Sequence, residues 1–229
     1  RDSVASRGLG DVYKRQETHR HEHFGNTWGI RKYNPDIVKG FIDFAEETSY
    51  TDFTAHGLIT MRDKDDLGKI IPELVKLGVT SYKLFMTWNP FVVETEASYA
   101  NLMALPDDMV MKVMHHAAHE GGMWMVHAEN GTCKAYLEDQ FRSEHKTSPE
   151  YHLKSAPSII EAEAVNRAAT MALVTGSPLY PVHLSSHEVI SVLDHYKDKG
   201  LPLYGETCPH YLTLTNDMML QHGYKYKVA

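Results

Sequence analysis

The sequence predicts an α/β fold built on a parallel sheet, and within that class a (β/α)8 TIM barrel of which a central fragment, about half, is present. Three observations carry this reading. Short apolar segments alternate with amphipathic ones along most of the chain, the order that produces a parallel sheet with crossover helices. The apolar segments are continuous runs, as in strands buried on both faces. Lys83, His127, His183 and Glu206 each fall in or at the end of a different predicted strand. A doubly wound sheet satisfies the first two observations equally well. The third favours the barrel, where functional groups stand at the C-terminal ends of successive strands. No G-x-G-x-x-G or G-x-x-x-x-G-K-[ST] turn supports a nucleotide-binding sheet.

Each element has its own signal. Residues 34–47 read as a helix, with Ile37, Phe41 and Phe44 on one face and Pro35 near the start. Residues 52–60 form a short apolar strand. Residues 65–77 are a helix with Leu67, Ile70, Ile71 and Leu74 in period and Gly78 as its stop. The next strand is 80–86, followed by a helix over 106–120 that ends at Gly121 and Gly122. Strand 123–127 (MWMVH) leads into a long loop and then a helix over 159–174, stopped by Gly176. Strand 179–183 (LYPVH), helix 188–199 and a strand opening at 203–206 complete the pattern.

Composition narrows the functional classes. Of 229 residues, 42% are hydrophobic and 23% charged, an ordinary globular balance. The net charge of −7 leaves no basic field for nucleic acid. No apolar run reaches the roughly 18–20 residues of a membrane helix. Two cysteines, Cys133 and Cys208, build no disulfide framework, so a reducing, cytoplasmic setting is expected and Cys208 is read as packed. Fifteen histidines pose a metal or acid–base question. No repeat or low-complexity linker divides the chain. The first residues stand apart: 6–16 (SRGLGDVYKRQ) resemble an in-frame translation of a sequencing-library transposon adapter. Residues 1–16 are therefore expected to be an assembly scar, and 17–229 a partial barrel domain.

Lys83 lies inside an apolar strand, where an ammonium is costly unless paired or modified. Either it meets a buried carboxylate, or it is carbamylated, which turns the amine into a carboxylate able to bridge two cations. His127 and His183 each end a strand. A lone histidine there is commonly a hydrogen-bonded core residue. Two of them with a strand lysine form a donor set suited to zinc and related divalent ions.

Four motifs together resemble one family. GVTSYKLFM (78–86), VHAEN (126–130), HLSS (183–186) and GETCPHYL (205–212) are similar to the cyclic amidohydrolases, nearest to the dihydropyrimidinase and hydantoinase group. The segment from Ser155 through Glu161 to Arg167 resembles that group as well, and the likeness runs from about Phe44 to Ala229. The resemblance implies a metal-dependent hydrolase barrel that opens the amide bond of a cyclic amide such as a dihydropyrimidine or hydantoin. It implies two divalent metal ions, zinc first, bridged by carbamylated Lys83 as the catalytic and metal-bridging residue. His127 and His183 then hold the second metal, and a metal-bridging hydroxide attacks the ring carbonyl. A homotetramer is implied for the full-length parent, with no nucleic-acid or membrane partner.

The departures from the family pattern are specific. The family's first metal is held by a His-x-His pair and by an aspartate that would fall beyond Ala229. His19 and His21 have the pair's spacing but follow no apolar strand, and with His23 they read as a polar loop. His115, His116 and His119 read as helix-face residues. Trp88 occupies the place of a substrate-binding tyrosine, five residues after Lys83; indole still donates a hydrogen bond, with a different reach. His210 in Cys208-Pro209-His210-Tyr211 points weakly to allantoinase. An allantoinase or other cyclic ureide hydrolase is one alternative, and a non-catalytic dihydropyrimidinase-like scaffold another, opposed by retention of Lys83, His127 and His183. The chain alone is expected to be inactive.

Overall fold

The computed structural model describes residues 34–87 and 103–226. Its elements are α1 (Asn34–Thr48), β1 (Gly57–Leu58), α2 (Leu67–Lys76), β2 (Ser81–Phe85), α3 (Asp107–Glu120) and β3 (Met123–His127). They continue with α4 (Gly131–Ser143), α5 (Pro149–Ser155), α6 (Ile159–Thr175), β4 (Leu179–Pro181), α7 (Val189–Asp198) and α8 (Asn216–His222). Short 3-10 turns stand at Met61–Asp63, Pro209–Leu212 and Gly223–Tyr226. Residues 1–16, His19, His21, His23 and Trp88 lie outside the described residues.

The four strands form one parallel sheet in the order β1-β2-β3-β4. Sequential neighbours in parallel register, each joined by helical crossovers, are how a (β/α) barrel grows. The 203–206 segment continues the sheet: Leu203 bridges Leu179 in parallel, and Glu206 N–H donates to the Pro181 carbonyl at 3.3 Å.

Register sorts the side chains into two faces. Tyr82, Leu84, Trp124, Val126 and Leu179 point to the helices and are completely buried with Leu74, Val113, Met114 and Ala168. The opposite face carries Leu58, Lys83, Phe85, Met125 and His127, none of which joins that helix-side cluster. In a closed barrel this second face is the interior. Glycines at φ +80 (Gly121) and +72 (Gly176) end α3 and α6 in the left-handed conformation that side chains disfavour.

Three expectations change. The 52–60 strand contracts to Gly57–Leu58, because the 3-10 turn at Met61–Asp63 begins immediately after it, capped by Thr60. Strand 179–183 stops at Pro181, because His183 turns to φ +45. The long loop before α6 contains two helices, α4 and α5. No described helix is long and apolar enough to cross a membrane.

Candidate functional site

Lys83, His127 and His183 come together at one end of the sheet. Lys83 is the third residue of β2 and is 5% exposed. Two residues on, Phe85 pairs with His127 across the β2–β3 ladder. Lys83 Nζ lies 5.0 Å from the Phe85 ring centroid, and Phe85 lies 5.8 Å from the His127 ring. The His127 and His183 rings are 4.5 Å apart between centroids, with planes at 75°. His183 reaches this position from a left-handed backbone, φ +45, which is costly for a non-glycine residue and typical of functional turns.

Burial is the main cause that holds the His127 imidazole well below its usual pKa, with His183, Lys83 and Lys134 adding to it. A neutral ring keeps a nitrogen lone pair free, which a metal ligand needs. Imidazole nitrogens are donors of the kind that divalent metals such as zinc accept. Among the described residues no three His, Cys, Asp or Glu side chains converge on one point.

The loops after these strands are cross-tied. Thr87 donates its hydroxyl to Glu129 at 2.5 Å, and Lys134 Nζ donates to the same carboxylate oxygen at 3.0 Å. The Met86 N–H donates to the His127 carbonyl at 3.0 Å. Asn130 caps α4 by accepting from the Cys133 N–H at 3.0 Å. On the far side, the Tyr180 hydroxyl donates to Glu206 at 3.0 Å, which places the fourth strand-end polar residue beside β4.

His56 is a residue the sequence reading missed. It precedes β1, is 4% exposed, and its Nδ1 lies 2.5 Å from Ser81 Oγ. Its Nε2 is buried without a hydrogen-bond partner. Burial and then the Lys83 charge lower its pKa. The available signal was a histidine inside an otherwise apolar run. His115 and His119 are exposed on α3, with rings 4.5 Å apart, and His116 is half-buried, as expected of helix-face residues. Cys208 is half-buried. A surface depression lined by Ala45, Glu46, Ser49, Thr51, Asp52 and Phe53 shares no residue with this site.

A parallel α/β sheet whose successive strand ends converge a lysine and two histidines belongs to the barrel type used by metal-dependent hydrolases. Comparison with known proteins narrows the class. The chain is 36% identical over 185 residues to a D-hydantoinase of Streptomyces coelicolor, covering 80% of this chain and 37% of that protein. A solved D-hydantoinase structure superposes with a TM-score of 0.74 at 30% identity, over 86% of this chain and 40% of that one. A dihydropyrimidinase from Brevibacillus agri gives 0.73 at 27% identity, again over 86% and 40%. No protein-family profile matches the chain. The chain is a homologue of the hydantoinase and dihydropyrimidinase group of cyclic amidohydrolases, and its fold is part of their barrel. It spans about two fifths of the length of these relatives.

Proposed function

We propose that this chain supplies the lysine and one histidine pair of a metal-dependent hydrolase acting on the amide bond of a cyclic amide, a dihydropyrimidine or hydantoin ring. The observation that carries the reading is the 4.5 Å edge-to-face approach of His127 and His183 beside buried Lys83. Lys83, as its carbamate, and the two imidazoles would hold the metal, with zinc matching this nitrogen and oxygen set. When bound, divalent metals make water acidic enough to attack at neutral pH and polarise a carbonyl.

The chain's own residues prepare that chemistry. The low-dielectric strand end keeps His127 neutral, so its lone pair is available without proton release. The Phe85 ring adjoins both, 5.0 Å from Lys83 Nζ and 5.8 Å from the His127 ring between centroids. Glu129, fixed by Thr87 and Lys134, locks the turn that follows His127.

The names of the relatives support the cyclic-amide class. A cytoplasmic, tetrameric parent enzyme is part of the same proposal, as is the absence of turnover by the 229-residue chain by itself. The reading is tested by metal binding to the wild-type chain compared with Lys83→Ala, His127→Asn and His183→Asn. A site lost in all three supports it; identical binding in all four sinks it.

A further inference from the structure

The first turns of α6 touch the loops behind both histidines, and this contact has no part in the roles described above. Glu161, in the first turn, accepts the Ser185 N–H at 3.0 and 3.2 Å through its two oxygens. It also accepts the Ser186 N–H at 2.7 Å and the Ser185 hydroxyl at 3.3 Å. These are the second and third residues after His183. Two residues along, Glu163 accepts from Asn130 Nδ2 at 2.7 Å, and the Ile160 carbonyl accepts the Asn130 N–H at 3.3 Å. Asn130 is the third residue after His127.

Successive backbone N–H groups in a turn that includes a left-handed residue form an anion-binding concavity. Here His183 supplies the left-handed φ, and the anion is Glu161 from within the chain. Charge-assisted bonds of this kind are short and directional. They tie the chain at Ser185 and Ser186, just past the left-handed His183, next to the Leu184 N–H that donates to the Glu206 carbonyl at 2.7 Å. The same helix end holds Asn130, so one rigid element references both rings.

Resting on the metal-site reading above, we propose that the N-terminus of α6 is the positioning element for the histidine pair, with Glu161 as the positioning residue that sets His183. Outer residues that orient metal ligands are typically worth about 10–100-fold in metal affinity. Glutamine at 161 offers one acceptor oxygen, and its amide N–H groups would face the N–H groups of the turn.

The test is a Co2+ titration of the 229-residue chain, reading the part of the visible absorption that depends on His127 and His183. Glu161→Gln should weaken that affinity by about 10-fold or more. It should also shift and broaden the His183 imidazole 15N signals of the metal-free chain. Ser158→Ala removes the 2.7 Å contact from the same helix end to Glu188 and should change neither readout. Affinity and His183 signals unchanged in Glu161→Gln overturn the proposal, as does an equal loss in Ser158→Ala, which would mark general damage to the helix end. If wild type shows no histidine-dependent Co2+ signal, the metal reading fails, and the clamp stands or falls on the imidazole spectrum alone. If Glu161→Gln does not fold, amide exchange of the wild type decides: protection of Ser185 and Ser186 comparable with α6 supports the clamp, and unprotected exchange overturns it.

Discussion

The imidazoles of His127 and His183 meet edge to face, 4.5 Å between centroids, although three helices separate them in the chain. Parallel neighbours in a sheet bring their C-terminal ends to the same edge, so each βα unit delivers one side chain to the site.

Gly122→Ala should destabilise the chain by about 1–3 kcal/mol. A methyl at this position would intrude on the Tyr82 ring, which is completely buried against Trp124. Chemical denaturation checks it, and no change in midpoint would contradict the packing described.

Asp63→Ala should cost about 1–3 kcal/mol, because it strands a buried donor. The Asp63 carboxylate accepts the Thr60 N–H at 2.8 Å and the Thr60 hydroxyl at 3.0 Å, closing the capping box that stops β1. A lowered melting temperature in a thermal scan is the expected result.

Position 183 should discriminate by backbone preference. His183→Asn is expected to melt near wild type, since asparagine tolerates a positive φ. His183→Val should be less stable than His183→Asn by about 1–2 kcal/mol. Equal stability of the two variants would argue against the turn.

Lys83 should react with carbon dioxide once metal is present. A carbamate 13C signal is expected in chain incubated with labelled bicarbonate and zinc, and it should be absent in Lys83→Ala. The same signal in both would exclude Lys83 as its source.

Turnover is expected to be absent. With hydantoin or dihydrouracil, the 229-residue chain should hydrolyse no faster than buffer, as a coupled assay or loss of ring absorbance would show. Measurable turnover lost in His127→Asn would contradict this expectation.

Much of the architecture was legible in the residues. The β3 boundaries follow from MWMVH, an apolar run closed by a polar ring, and α6 from its buried alanines and the Gly176 stop. The helices α4 and α5 were not legible. Gly131 is the only buried residue of α4, so there is no buried apolar stripe to read. The convergence of Lys83, His127 and His183 could be anticipated because strand ends share an edge. The work of Glu161 could not, since its partners lie 24 and 25 residues away and are backbone N–H groups, which have no sequence signature. His56 was hidden in a run whose pairing with β2 turned out to be only two residues long.

In the proposed site His127 and His183 act together on one divalent metal. The most direct measurement is a Co2+ titration followed by visible absorption on the wild-type chain, His127→Asn and His183→Asn. A band is expected in wild type that disappears in both variants, while weaker binding by other histidines persists. Superimposable titrations for all three proteins would contradict it.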